Sequence, residues 1–236
     1  MPGKSVTRKT LIYVWLPLIW LSFFGTLMMA AWLSPGRYNW RRQAISKLLY
    51  PRNDPEFHTI ASLGIVATGL MMIPIVVYMR TRLRSISTIA VDAGSAAFGL
   101  GAIVLVLAGV VVSHPAHGIS PFPRLHEMLA RTAAIALGVG MLVLWGCAAK
   151  GYFGSSKRAD QWRWLLVSWS LLTLPALSIA ILRLVAGARF QLSNPVYRAL
   201  ENRSLWHLGF WEWIGSAAIF LFLLSAVLFL PEHAAD

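Results

Sequence analysis

The sequence holds one cysteine, Cys147, so no intrachain disulfide can form and a disulfide scaffold is excluded. Charge is also scarce. Only 13% of the 236 residues are Asp, Glu, Lys or Arg, about half the share of a soluble domain. That is too little to coat an ordinary water-facing surface. Acidic residues are the scarcer sign, 9 against 21 Lys and Arg, which leaves a formal net charge of +12. The polar, low-hydropathy composition of a disordered chain is absent as well: 57% of residues are hydrophobic and the mean hydropathy is +0.63. No P-loop, dinucleotide fingerprint, calcium loop or H-E-x-x-H motif occurs.

What is present is long apolar runs. A bilayer core needs about 20 apolar residues per helix. Six segments meet that length: 11–33, 59–79, 91–113, 126–149, 163–187 and 207–230. They are too long and unbroken for barrel strands, which alternate every second residue. The expected fold is therefore all-α, a single domain forming a polytopic bundle of six transmembrane helices. The first run follows a basic tip, Lys4, Arg8 and Lys9. It is longer than the roughly 7–15 residues of a signal peptide's apolar region, so it reads as a retained helix. Pro17, Pro74 and Pro175 fall inside spans and read as ordinary helix irregularities. Small residues at four-residue spacing (Ala93, Ala97, Gly101 and Ala130, Ala134, Gly138) predict that spans three and four pack together.

Six spans put both termini on one side. Ten Lys and Arg lie on that side and nine opposite, so the positive-inside rule decides narrowly. The basic tip beside span one, with the dense clusters at 80–84 and 150–163, favours cytoplasmic termini in a cell (inner) membrane. In a soluble protein a charge of +12 would suggest nucleic acid. In a membrane protein it suggests basic loops against anionic headgroups. Membrane lipids are therefore the expected partners, and nucleic acid is not. Tryptophans at both expected interfaces (Trp32, Trp40, Trp206, Trp211, Trp213; Trp145, Trp162, Trp164) fit the amphipathic ring's preference.

The polar chemistry gathers on the face opposite the termini. That face carries His58, His114, His117, His126 and His207, five of the six histidines, with Asp54, Glu56, Glu127, Glu201 and Glu212. Arg131 lies about 7–8 Å into span four at 1.5 Å per residue. Glu212 is equally deep in span six, and Arg183 is near the same end of span five. Charges at such depth face a partner or a wet cavity. Glu127 and Arg131 are four apart and can pair on one helix face; Arg183 and Glu212 could pair between helices. These residues could line a substrate pocket open to the outer face, or form a structural ion-pair network. His126, His207 and Glu212 are the candidate acid–base groups, and Ser46 is a candidate nucleophile if a histidine lies beside it. His114, His117 and His126 could hold zinc with one open position. A haem would need two imidazoles facing across helices at one depth, such as His126 with His207 or His58. Loop one adds Arg37, Arg41, Arg42, Lys47 and Arg52. Of these, Arg41 and Arg42 are the foremost candidates for holding a lipid phosphate, since arginine binds phosphate bidentately.

The segment Ala44-Ile45-Ser46-Lys47-Leu48, followed by Pro55-Glu56-Phe57-His58 and then directly by span two, resembles the first outer loop of the Frag/DRAM/Sfk superfamily. It is similar too to a bacterial family of six-span proteins of unknown function akin to that superfamily. There, as here, a histidine opens span four (His126) and a glutamate lies early in the last span (Glu212). The resemblance implies a membrane-lipid role with the motif side extracytoplasmic or luminal. Relatives often carry an acidic residue after Ile-Ser, where this chain has Lys47. Two functions remain open. One is lipid binding or processing by hydrolysis or acyl transfer. The other is a non-catalytic scaffold or accessory subunit with a membrane-protein partner or a second copy of itself. Transport is less favoured, because the charged groups lie near one surface rather than at the midplane.

Overall fold

A chain this apolar must satisfy its own backbone hydrogen bonds, because lipid offers none, and helices do so within each segment. The computed structural model describes residues 7–34, 38–49, 57–113, 125–154, 162–172, 174 and 208–230. Among the described residues the regular structure is helical, without strands. Five helices are long and apolar enough to cross a membrane. They are α1 (Arg8–Leu33), α3 (His58–Leu83), α4 (Thr88–Ser113), α5 (Leu125–Gly154) and α7 (Leu208–Phe229). Between α1 and α3 lies the short α2 (Ser46–Leu49). A further helix, α6 at 162–172, occupies the start of the expected fifth span. The rest of that span, Arg183 and Pro175 included, lies outside the described residues.

Pro17 shapes α1. It lacks an N–H, and its ring would clash with the carbonyl four residues earlier in a regular helix. The helix runs through it by widening to a five-residue turn at Leu11–Trp15, and a second wide turn follows at Leu21–Gly25. Thr26 Oγ1 closes the second wide turn by donating to the Ser22 carbonyl at 2.5 Å. Pro74 sits inside α3, which continues past it without a break.

The most enclosed span is α3, which packs against α1, α2, α4, α5 and α7. Close approaches occur at glycines. Gly64 of α3 lies against Ser22 and Thr26 of α1, and Gly69 against Ala102 and Val106 of α4. The expected pairing of spans three and four is present as α4 on α5, but the face is shifted. Gly94 meets Val143 and Leu144, Gly101 meets Leu137, and Gly140 meets Phe98. Ala93 and Ala134 are exposed, and Gly138 faces open space. A strict four-residue stripe drifts around a helix of 3.6 residues per turn. The real seam therefore mixes three- and four-residue steps.

The two ends of the bundle differ. At one end, Asp92 of α4 binds Arg80 (2.8 Å) and Arg84 (3.3 Å) across the α3–α4 turn. Gly151, near the end of α5, lies beside Ile86 and Trp162 at this same end. The other end carries loop one and the start of α7. Not every tryptophan serves as an interfacial ring. Trp32 is 89% exposed and Trp164 61%. Trp162 is buried, while Trp145 Nε1 donates to Ser170 Oγ at 3.0 Å. Trp169, which the sequence did not single out, stacks on Phe222 of α7 at 4.0 Å and donates to Ser225 Oγ at 2.6 Å.

Candidate functional site

Loop one is built to sit down on the bundle. Asn39 starts a turn: its carbonyl accepts from the N–H groups of Arg42 (3.1 Å) and Gln43 (2.8 Å). Its side-chain oxygen accepts from Arg41 N–H (3.1 Å). Such local bonds are what asparagine offers a turn. The chain then enters α2, and Ile45 just before it forms one apolar side with Leu48 and Leu49 inside it. All three are buried, and α2 packs on α1, α3 and α4. Arg41, Arg42 and Lys47 are exposed on the other side of the same segment. The Arg41 guanidinium lies over the Trp40 ring, 5.2 Å from its centroid.

The first turns of α7 hold this loop from three positions. The Glu212 carboxylate accepts a hydrogen bond from Ile45 N–H at 2.5 Å. Trp213 Nε1 donates to Tyr38 Oη at 3.1 Å, and Tyr38 Oη donates onward to the Gln43 carbonyl at 2.7 Å. Gly209 lies so close to the Gln43 backbone that no side chain fits there. Around these ties Trp40 meets Phe210, while Phe24 of α1 meets Trp213 and Phe220. Burial pushes the Tyr38 phenol up to about 12. Trp213 pulls the other way and the nearby Glu212 charge adds to the rise. Tyr38 is therefore a donor throughout the physiological range.

The sequence-nominated residues divide as follows. Glu212 and the Ile45-Ser46 motif come together, although their contact is through the Ile45 backbone. Ser46 begins α2, half-buried, and no described hydrogen bond joins it to a histidine. His126 opens α5 and is buried, with Nδ1 bonded to the Ala108 carbonyl of α4 at 3.1 Å. A carbonyl only accepts, so Nδ1 carries a proton and donates it to Ala108. His58 Nε2 meets Thr59 Oγ1 at 3.3 Å. Arg131 pairs with Glu127 on an exposed face of α5, as their spacing predicts. His114, His117, Arg183 and His207 lie outside the described residues, so the zinc and Arg183–Glu212 expectations, and the haem pairing of His126 with His207, fall there too. Among the described residues no group of three His, Cys, Asp or Glu could hold a metal ion.

Sequence reasoning missed Tyr38, Gln43 and Gly209, and counted Trp213 only as an interfacial ring. The available hint was aromatic: Tyr38 and Trp40 at the start of a basic loop, Phe210, Trp211 and Trp213 at the start of the last span.

The chain belongs to the family described as Protein of unknown function (DUF998), which matches residues 17–230. The match takes in α1 from Pro17 onward, loop one and the other four long helices, so the α7–loop one site lies within it. No curated protein and no solved structure matches the chain.

Proposed function

We propose that this multi-pass membrane protein recognises anionic lipid headgroups at the outer face of a cell membrane, through the cationic side of loop one. The observation that carries this reading is the two-sided loop. Ile45, Leu48 and Leu49 are buried in the bundle, while Arg41, Arg42 and Lys47 stand exposed on the same short segment. Cations held at an interface attract phosphate, and Trp40 beneath Arg41 suits the headgroup depth. The likeness of residues 44–58 to the Frag/DRAM/Sfk loop supports the lipid part of the reading. Binding is favoured over catalysis because Glu212 is engaged by Ile45, and the histidine bonds described go to Ala108 and Thr59. A chemical step on the lipid would fall to Ser46, His126 and His207, and a zinc assay with single replacements tests it.

The same reading takes the bundle as six spans with both termini cytoplasmic. In support, α5 ends beside Ile86 and Trp162, whereas α7 starts beside Gln43 and Ile45 at the other end. In this reading the chain between Gly154 and Leu208 crosses once more, with α6 at the start of that crossing. The test of function is direct. Purified in mild detergent, the protein should bind soluble dioctanoyl-phosphatidylglycerol more tightly than dioctanoyl-phosphatidylcholine by native mass spectrometry. The triple variant R41A/R42A/K47A should lose the preference. Equal affinity of the native chain for both lipids would overturn the proposal.

A further inference from the structure

We propose that Glu212 is a positioning residue: it fastens loop one to the outer end of the last span and so sets where Arg41, Arg42 and Lys47 meet a phosphate headgroup. This rests on the headgroup reading above and assigns Glu212 a role different from acid–base chemistry.

The geometry sets the role. Glu212 lies one turn into an apolar helix, where a carboxylate needs a partner. Among the described residues its hydrogen bond is to the backbone N–H of Ile45, 2.5 Å away. A backbone donor cannot swing aside as a side chain can, so the bond fixes the chain itself. The tie at Trp213–Tyr38–Gln43 and the contact at Gly209 secure the same loop from the same helix end. Ile45 directly precedes α2, and Lys47 is within that single turn. Arg41 and Arg42 lie inside the Asn39 turn that ends at Gln43. All three cations are thus within a few residues of a fastened backbone atom, and their placement relative to one another is set before a ligand arrives. Preorganisation of this kind raises affinity by removing the cost of ordering the loop on binding.

The expected magnitude follows from populations. A loop in its fastened state only about a tenth of the time binds about tenfold more weakly. The substitutions separate an acceptor from a charge. Glu212→Gln keeps a carbonyl oxygen that can accept from Ile45 N–H and removes the charge. Glu212→Leu removes the acceptor.

Two readouts on the purified full chain test this: amide hydrogen exchange over residues 38–49, and the dissociation constant for dioctanoyl-phosphatidylglycerol with inorganic phosphate as competitor. The expected result is faster exchange and about tenfold weaker lipid binding in E212L, with both near native in E212Q. Where E212L does not fold, Trp213→Phe, which removes the Tyr38 tie, should shift both readouts in the same direction. Unchanged exchange in E212L overturns the fastening. Faster exchange with unchanged lipid affinity overturns the positioning role while leaving the headgroup reading standing. Native-like exchange in E212Q with lost binding would assign Glu212 a direct part in the site and overturn the proposal. Lipid binding abolished by millimolar inorganic phosphate would identify free phosphate as the ligand and overturn the lipid assignment. A native chain that does not distinguish phosphatidylglycerol from phosphatidylcholine would remove the headgroup reading, and this proposal with it.

Discussion

Gly209, in the first turn of the last span, lies directly against the backbone of Gln43 in loop one. The two are far apart in sequence, and their contact is a seam with no room for a β-carbon. Gly209→Ala should therefore push the loop off the helix. The expected cost is about 1–3 kcal/mol, typical of overpacking. It should appear as a lower thermal midpoint in detergent and faster amide exchange over residues 38–49. Gly215, further along the same helix, faces open space. Gly215→Ala should be neutral or slightly stabilising, since alanine favours a helix by about 0.8–1.0 kcal/mol over glycine.

Tyr38 should titrate late. Its pKa is pushed from the ordinary 10.0 to about 12, so the fold favours the neutral phenol. The linked stability is present in full below pH 10.0 and is lost as the pH rises through about 12. Absorbance at the phenolate band should show Tyr38 ionising later in the folded chain than after unfolding. That late step should vanish in Tyr38→Phe. A Tyr38→Phe spectrum identical to the native one would show that the phenol is not held as described.

The seam between α4 and α5 makes a paired prediction. A β-carbon at Gly140 would come within 2.7 Å of the Phe98 backbone nitrogen, whereas at Gly138 it meets nothing within 4 Å. Gly140→Ala should destabilise the protein by about 1–3 kcal/mol, and Gly138→Ala should not. Equal thermal midpoints for the two variants would contradict the register of this helix pair.

The lone cysteine permits a clean map of orientation. Cys147 is buried, and Cys147→Ala provides a cysteine-free background. Lys47 and Arg84 are exposed at opposite ends of the bundle. In intact cells an impermeant maleimide should label Lys47→Cys, and should label Arg84→Cys only after the membrane is opened. The reverse pattern would invert the topology.

Much of the fold is legible in the chain because the deciding quantities are local. Whether a segment enters a bilayer depends on a sum over its own residues, and the five long helices fall where the apolar runs do. The Glu127–Arg131 pair is equally local, set by a spacing of four on one helix. The face of α4 that meets α5 was less legible. Lipid tails are as apolar as leucine, so a membrane helix shows little contrast between its lipid side and its packed side. Ala93 and Ala134 read as contacts yet are exposed, while Gly94 and Gly140 make the approach.

The candidate site shows the same division. Composition and residue order by themselves determined a helical membrane protein, a basic first loop, and a glutamate early in the last span beside an aromatic cluster. Only the tertiary structure decided what the glutamate does. Its partner is a backbone N–H 167 residues away, and every residue but proline offers one, so no side chain marks the position. Tyr38 and Trp213, 175 residues apart, are likewise joined by the packing of α1, α3 and α7, which brings both ends of the chain's apolar segments to one surface. Hydropathy determines that each segment crosses; only the fit of one helix on another determines which residues meet where the crossings end.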